Sequence, residues 1–385
     1  MEFKEYKLRD IVDVLNKIIN PQKNKNTNFS LYSLPAFDNN KTPEICKGEQ
    51  INSSKLIIDR QAILFNKLNI RFKRIWNLTS INSNSICSME FIPLVANQKI
   101  ILNDYLYYLL ISDGFNKGLI ENSTGTSNSH QRINKEILLE KNIYLPSIEN
   151  QKKITYILKS IDKKIELNNQ IKDNLFKMCN ATYHDYLNKH LELIENKKII
   201  EIASKVVTGK TPSTKNEEFW KGNIPFITIP DMHNQIFTIN TARKINEVSA
   251  KAVIPKYSIL VSCIATVGLV SISTERAQTN QQINSIVLNN EYDLYYLFEF
   301  LSEQESFMKN IASGSTTYNI NKNTFGNIEV PYLPSDKIME FHNIVNKMFE
   351  KIKLNQLENE TLEQLKNTLL PKLMNGEINL ENIEI

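Results

Sequence analysis

The chain has 385 residues, of which 41% are hydrophobic and 23% charged, and its formal net charge is +4. This length and composition provide for two or three domains with hydrophobic cores. No run approaches 18 consecutive apolar residues and the N-terminus lacks a signal-peptide pattern, so we expect neither a membrane span nor secretion. The four cysteines are far apart and include no CxxC pair, so we expect reduced thiols in a cytoplasmic protein.

Positive charge is concentrated in the first part of the chain. Residues 1–146 hold 19 basic and 14 acidic side chains, whereas residues 191–332 hold 13 and 14. The first part is therefore mildly basic, as a nucleic-acid binder can be, and a nucleic-acid site in the later part must be a local patch. Residues 147–190 (8 basic, 5 acidic) and 333–385 (6 basic, 9 acidic) carry opposite net charges, which suits side-by-side packing.

The first third of the chain has the pattern of a mixed domain. A short amphipathic element over residues 1–20 is followed by a polar loop, and residues 104–112 are predicted to be helical. Residues 123–131 are rich in glycine and hydroxyl side chains and are predicted to form a loop. Turn signals separate strand-like runs at residues 29–34, 56–58, 62–65, 70–75 and 86–93.

Residues 145–187 predict one long amphipathic helix. Apolar side chains recur there at spacings of three and four, which places them in one stripe. At 1.5 Å per residue, roughly 35–40 residues span about 50–60 Å. The stripe consists of Ile154, Ile157, Leu158, Ile161, Ile165, Ile171, Leu175 and Met178.

The second half of the chain repeats the first at an offset of about 187 residues. Strand-like runs occur at 236–239, 259–264 and 267–273. The segment Leu294-Tyr295-Tyr296-Leu297 that follows them corresponds to Leu106-Tyr107-Tyr108-Leu109 of the first half. A repeat of this length predicts two globular domains of the same fold, each followed by a long helix. The second stripe consists of Phe341, Ile344, Val345, Met348, Ile352, Leu362, Leu365 and Leu369.

The two long helices are predicted to cover each other's apolar stripe. Because the repeats are in tandem, the chain can leave one domain along one helix and return along the other, as an antiparallel coiled coil. Asn168 and Asn355 are then polar seam positions that fix the register. The predicted fold class is α+β, with mixed α/β domains at 1–146 and 191–332 and long helices within 147–190 and 333–385.

Several short sequence motifs together resemble those of one protein family. They are residues 207–213 with Gly-Lys-Thr-Pro, 219–227 followed by Asp231, the Thr-Asn-Gln segment in 277–282, Leu333-Pro334 and residues 369–378. In this order they resemble the specificity subunit of type I restriction–modification systems, over essentially the whole chain. The first half departs from the pattern. It has no Gly-x-Thr-Pro near residue 20, and Ser88-Met89-Glu90 stands where Thr-Asn-Gln would be.

The resemblance implies a DNA-binding function. Each globular half would be a target recognition domain that reads one half of a split, asymmetric sequence in double-stranded DNA. The paired helices would set the unread spacer and dock two methyltransferase subunits and, beyond them, restriction subunits. The chain itself would have no catalytic residues and no cofactor.

Candidate DNA contacts fall in loops that carry amide, hydroxyl and basic side chains, which can pair with base edges or phosphates. The alternatives are an ordinary turn at 208–213, a chance cluster of amides, plain linkers and a solvated lysine-rich loop. In the first half the candidates are Lys23, Lys25, Asn39, Asn40, Lys41, Thr126, His130, Gln131 and Arg132. In the second half they are Thr208, Gly209, Lys210, Thr211, Lys215, Thr279, Asn280, Gln281, Gln282, Ser315, Thr316 and Tyr318.

The motifs of a self-sufficient enzyme are missing from the sequence. The five histidines show neither HxxxH nor HExxH spacing, and the chain has no P-loop, glycine-rich dinucleotide loop or GxSxG. We therefore expect no metal site and no active site. Two other hypotheses stay open: a coiled-coil adaptor that binds only protein, such as a silent specificity subunit, and a DNA-modifying enzyme.

Overall fold

The computed structural model describes residues 2–39, 41–117, 119, 132–314 and 318–381. The chain forms two compact units. Unit 1 consists of Met1–Asp162 with Gln364–Ile385, and unit 2 consists of Lys163–Glu363. Among the described residues, none of the helices combines the length and apolar character that crossing a bilayer requires.

Unit 1 contains three small sheets and short helices. Its strands are β1 (Lys4–Lys7), β2 (Val12–Val14), β3 (Ile18–Ile19), β4 (Asn28–Tyr32), β5 (Glu44–Lys47), β6 (Lys55–Ile57), β7 (Ala62–Asn66), β8 (Ile75–Leu78), β9 (Ser85–Cys87), β10 (Phe91–Ala96) and β11 (Asn142–Leu145). Its helices are α1 (Leu8–Ile11), α2 (Leu34–Asp38), α3 (Asn103–Ile111), α4 (Asp113–Asn116) and α5 (Lys135–Leu139), with 3-10 turns at Pro21–Asn24 and Gly48–Gln50.

The sheets of unit 1 have the orders β1-β11, β2-β10-β7-β8 and β3-β6-β9-β4-β5. Strands β4 and β9 are parallel, and the other paired strands are antiparallel. Helix α3 buries Tyr105, Leu106 and Leu110 in the main core of this unit. Trp76 belongs to a second core and packs edge-on against Tyr32, as a core anchor does.

Two strand predictions in unit 1 are wrong. Residues 70–74 form a turn and loop, and only Ile75 of the predicted run begins a strand, because Arg71, Lys73 and Arg74 have no apolar face to bury. The run at 86–93 is divided between β9 and β10, which lie in different sheets. The break falls at residues 88–90, where the chain passes from one sheet to the other.

Helix α6 (Ile148–Lys189) leads from the first globular half to the elements of unit 2. The strands of unit 2 are β12 (Glu195–Lys198), β13 (Ala203–Thr208), β14 (Ile224–Ile227), β15 (Phe237–Thr238), β16 (Arg243–Ile245), β17 (Val253–Ile254), β18 (Ile259–Ser262), β19 (Val270–Ser273), β20 (Ala277–Thr279), β21 (Ile283–Leu288) and β22 (Glu329–Tyr332). The helices are α7 (Ile199–Ile202), α8 (Ile229–Met232), α9 (Asp293–Ser302), α10 (Glu305–Ile311), α11 (Lys322–Gly326) and α12 (Ser335–Met374), with 3-10 turns at Leu191–Leu193 and Glu217–Trp220.

Unit 2 repeats the topology of unit 1 except at two sheet edges, where β15 is added beside β19 and the described residues form no counterpart of β3. Its sheets have the orders β12-β22, β13-β21-β18-β19-β15 and β16-β14-β20-β17. As β4 and β9 do in unit 1, β14 and β20 run parallel. The predicted fold class, a tandem repeat of mixed α/β domains with long antiparallel helices, is confirmed.

The segments of the two long helices run antiparallel within each unit. In unit 1, Lys153 near the start of α6 donates to the carbonyl of Leu380, beyond the end of α12, and Asp162 pairs with Lys366 at 2.6 Å. In unit 2, the Tyr186 hydroxyl near the end of α6 donates to Glu340 near the start of α12, at 2.8 Å.

Asn168 and Asn355 are both buried, each 1% exposed, at the seam of unit 2. Asn168 Nδ2 donates to Glu358 Oε2 at 2.8 Å and to Asn359 Oδ1 at 2.9 Å. Among the described residues no hydrogen bond joins Asn168 to Asn355 itself. The hydrogen bonds from Asn168 and Lys164 hold the pKa of Glu358 below its usual value. A change of register would separate these polar partners.

Burial of the predicted stripes follows a seven-residue repeat. Ile154, Ile161, Phe341 and Ile352 are buried, while Ile165, Leu175, Met348 and Leu362 are half-buried. Four stripe residues are instead exposed, so their predicted burial is wrong: Ile171, Met178, Ile344 and Leu365. Ile171 and Leu365 each precede a half-buried lysine, Lys172 and Lys366, that occupies the heptad position. Because 3.6 residues make one helical turn, a shift of one position rotates a side chain by about 100° around the helix axis. Ile171 and Leu365 are therefore turned away from the heptad position.

A carboxyl group without a charged partner is buried between α6 and α9 in unit 2. Glu299 is 0% exposed and faces Cys179, Asn180 and Tyr183 of α6, with Glu303 one turn away. Within the described chain, its Oε1 has no hydrogen-bond partner. Burial raises the pKa of Glu299 to about 8.

We predict that Glu299→Gln removes a pH dependence of stability. Because the folded-state pKa is raised, the native state favours protonated Glu299. Its favourable contribution is complete below the unfolded pKa near ~4.5 and is lost as pH rises towards about 8. The variant should therefore melt at a higher temperature than the wild type at pH 8, with little difference at pH 5. The exposed Glu305→Gln is the control, and equal pH slopes in all three proteins would contradict the prediction.

Candidate nucleic-acid interface

The glycine loop after β13 packs against the strand connection at the end of β20. Gly209 donates its N–H to Ile283 O at 3.1 Å, and Lys210 N–H donates to Thr279 O at 2.9 Å. A Cβ at Gly209 would collide with the backbone carbonyls of Thr279 and Asn280, so this close approach requires glycine. The loop is therefore fixed by its backbone, while the Lys210 side chain is exposed.

Buried polar groups support this loop from behind. Gln278, which is 0% exposed, donates from Nε2 to Lys210 O at 2.7 Å and accepts from the N–H groups of Lys251 and Ala252. Thr208 Oγ1 donates to Asn284 Oδ1 at 2.7 Å. Hydrogen bonds to both the oxygen and the nitrogen of this buried amide hold the surrounding backbone in one conformation.

The Thr-Asn-Gln segment divides into supporting and exposed side chains. Thr279 is 0% exposed, so in this structure it supports the loop and its hydroxyl cannot reach a ligand. Asn280 and Gln282 are half-buried and bond to each other, with Asn280 Nδ2 3.0 Å from Gln282 Oε1. Gln281 is exposed beside the loop and accepts a hydrogen bond from the Thr211 hydroxyl.

A third segment adjoins the first two. Cys263 N–H donates to Gln282 O at 2.8 Å, and Ile320 N–H donates to Cys263 O at 2.8 Å. Ala265, at a positive φ of 65°, donates to Tyr318 O and so places the Tyr318 ring, 44% exposed, near the same edge. The candidates Ser315 and Thr316 lie outside the described residues.

The exposed groups of this edge can recognise a polar polymer. Lys210 is a donor that can neutralise a phosphate, and Gln281 offers a donor and an acceptor, as bidentate recognition of adenine requires. Thr211 and Tyr318 add hydroxyl groups. Lys215, also exposed, precedes the 3-10 turn that bears Trp220, whose ring Arg243 covers at 5.2 Å. The second half thus presents the exposed Lys210 and Lys215 together with these polar groups, and the exposed Glu217 and Glu218 follow Lys215 in the chain.

Unit 1 has the same backbone frame with different side chains. Lys67 N–H donates to Glu90 O at 2.9 Å, and Ile133 N–H donates to Lys67 O at 3.0 Å, as Cys263 and its partners do in unit 2. Arg132 pairs with Glu90 at 2.7 Å. A cleft of about 470 Å³ adjoins them, with an apolar floor and a rim that includes Lys67, Arg132 and Lys135.

The other described candidates of unit 1 lie in the connections before β4 and after α2. Lys23 and Lys25 are exposed at the 3-10 turn that follows β3, and Asn39 is exposed at the C-terminus of α2. Lys41 is exposed at a positive φ of 50°, with its amine 5.0 Å from the Phe37 ring centre. Four candidates lie outside the described residues: Asn40, Thr126, His130 and Gln131.

One basic loop escaped the sequence analysis. Residues 67–74, between β7 and β8, carry Lys67, Arg71, Lys73 and Arg74 with no acidic residue, and Phe72 is 52% exposed among them. The Arg-Phe-Lys-Arg run was the available signal, since basic residues interleaved with an aromatic are typical of nucleic-acid contacts. The apolar residues at 70, 72 and 75 favour a strand instead, which conceals this signal.

Three of the four cysteines are buried. Burial raises the pKa of the Cys87, Cys179 and Cys263 thiols to about 12, which keeps them protonated. Within the ranges that the structure describes, no three histidine, cysteine or acidic side chains are arranged to hold a metal ion.

Comparison with known proteins identifies the family. A family model described as "Type I restriction modification DNA specificity domain" matches twice, over residues 1–176 and 191–367. The chain is similar to the type I restriction enzyme HindI specificity subunit of Haemophilus influenzae, with 31% identity covering 77% of this chain and 82% of that protein. It is also similar to the putative MjaX specificity subunit of Methanocaldococcus jannaschii, with 23% identity covering 97% and 93%.

A solved structure shares the fold. The type I restriction–modification S subunit from M. genitalium covers 97% of this chain and 96% of its own, with a TM-score of 0.57 at 15% identity. The two family matches correspond to the two halves of the repeat. The chain therefore belongs to the type I restriction–modification DNA specificity domain family.

Proposed function

We propose that each globular half of this chain binds one half of a split, asymmetric site in double-stranded DNA. The proposal rests on the surface that occurs in both units, around residues 263, 282 and 320 in unit 2 and around residues 67, 90 and 133 in unit 1. In both units three segments converge through the same backbone hydrogen bonds, yet the side chains near them differ. Unit 2 has the exposed Gln281 beside Lys210 of the glycine loop, and unit 1 has the exposed Arg132 paired with the half-buried Glu90. A common frame with different side chains suits two related readers of different bases.

The remaining parts of the chain have structural roles in this proposal. The target recognition domains are residues 1–146 and 191–332, and the helical regions 147–190 and 333–385 set the unread spacer. The exposed surfaces of these helices dock two methyltransferase subunits, which associate with restriction subunits. The chain is non-catalytic, needs no cofactor of its own and acts in the cytoplasm; the names of its relatives and its missing enzyme motifs support this assignment.

Selection from a random DNA library tests the proposal directly. The chain, assembled with its methyltransferase subunit, should enrich one bipartite motif with two half-sites and an unread spacer of constant length. Affinity should fall steeply between 50 and 200 mM salt, since phosphate contacts release counterions. Enrichment of no sequence would contradict DNA reading, and methyl transfer or cleavage by the chain alone would support the enzyme alternative.

We predict that Gly209→Ala weakens recognition of one half-site. The new Cβ must displace the loop from the carbonyls of Thr279 and Asn280, which moves Lys210 and Thr211 away from Gln281. The expected result is at least a tenfold loss of affinity for duplexes with the half-site read by unit 2, an effect of about 1.4 kcal/mol or more.

The matched control is Gly114→Ala in α4 of unit 1, where a Cβ meets no atom within 4 Å. This control should bind as the wild type does. Equal affinities of the two variants and the wild type would show that the glycine loop takes no part in recognition.

A further inference from the structure

The loop at residues 67–74 of unit 1, here called the basic loop, presents an exposed aromatic ring that two guanidinium groups contact. Phe72 is 52% exposed, and the guanidinium carbons of Arg71 and Arg74 lie 4.9 and 5.3 Å from its ring centre. Among the described residues, Arg71 forms no ion pair. A surface ring flanked by cations is well suited to a partner that is both flat and negatively charged.

The backbone of the basic loop is fixed. Phe72 N–H donates to Asn69 O at 2.9 Å, and Asn66 N–H donates to Arg74 O at 3.2 Å. Arg74 is held by Asp38 through two hydrogen bonds of 2.7 and 2.8 Å, and Lys73 pairs with Asp113. Because both ends are anchored, the loop would lose little conformational entropy on binding.

The basic loop lies between the candidate DNA contacts of unit 1. Asp38, which holds Arg74, immediately precedes Asn39. At the other end, Leu68 forms a β-bridge with Arg132. Phe72 therefore stands on the stretch of surface that joins the end of α2 to Arg132.

Unit 2 makes the same turn without these side chains. Its loop between β18 and β19 has Ala265 at a φ of 65°, where unit 1 has Asn69 at 52°. Residues 263–269 contain no charged side chain and no aromatic ring, and Val267 is buried. The basic loop is thus a feature of one domain and not of the shared frame.

We propose that the basic loop is a minor-groove element, in which Phe72 enters a base step as a wedge and Arg71 lies in the groove. This inference rests on the proposed DNA-reading function and specifies how one half-site is read. Apolar wedges partly unstack a step, and arginines favour a narrow groove, so recognition here depends on how readily the DNA deforms. Lys73 and Arg74 are paired with Asp113 and Asp38, but Lys67 and Arg71 form no ion pair among the described residues, and their positive charge favours DNA over a protein partner.

The test uses the full chain with its methyltransferase subunit, bound to its selected duplex with 2-aminopurine at successive positions. Wild type should raise the fluorescence at one step, because an unstacked 2-aminopurine is brighter. Phe72→Ala should abolish that rise and weaken binding about tenfold. Phe72→Trp should restore both, while Arg71→Ala should weaken binding and flatten its salt dependence. Phe307→Ala, at an exposed phenylalanine of α10 in unit 2, is the control and should change neither.

The outcomes separate this inference from the proposed function. If Phe72→Ala matches wild type in affinity and fluorescence while Gln281→Ala alters recognition, the wedge is overturned and DNA reading stands. Weaker binding by Phe72→Ala with no wild-type rise at any step also overturns the wedge. A loss confined to assembly with the methyltransferase, measured by sedimentation, overturns it in favour of a protein contact. If wild type selects no sequence, the proposed function fails first.

Discussion

The pairing of α6 with α12 is the constraint on which both units depend. In unit 1, Ile154 and Leu158 of α6 and Leu373 of α12 belong to the same buried cluster as Tyr105 of α3. In unit 2, Tyr183 of α6 and Phe341 of α12 share a cluster with Tyr296 of α9. Neither globular half completes its core without a segment of each helix. A register error in the seam would therefore disturb the domain cores, so the spacer role proposed for the helices is coupled to the stability of both domains.

Much of this architecture could be predicted because it repeats. The stripes and the paired phrases place the long helices and the duplicated domains without any knowledge of contacts. Periodicity could not distinguish Ile171, which is exposed, from Lys172 beside it, because the seam position depends on the partner helix. Nor could it show that residues 86–93 cross from one sheet to another, since strand partners are distant in sequence.

The candidate site was only partly accessible to sequence reasoning. The sequence motif identifies Gly209. The reason that glycine is required there, which is its close approach to the carbonyls of Thr279 and Asn280, is visible only in three dimensions. Thr279 belongs to the same motif as Gln281, yet Thr279 is buried and Gln281 is exposed, because β20 ends at Thr279 and Gln281 lies in the connection to β21. The run Arg71-Phe72-Lys73-Arg74 combines basic residues with an aromatic one, as nucleic-acid contacts do, but the apolar residues at 70, 72 and 75 favour a strand. The two units thus carry different side chains on loops that share the same backbone hydrogen bonds.

Changing the length of the paired helices tests the central claim most directly. Seven residues inserted into both α6 and α12 at the boundary between the units would add about 10 Å, or about three base pairs of DNA, while keeping the seam in phase. Library selection with this variant should return the same two half-sites with a spacer about three base pairs longer. Insertion into α6 alone, which misaligns the two sides of the seam, should instead destabilise the protein. An unchanged spacer in the double insertion, or altered half-sites, would contradict the role of the helices as the spacer.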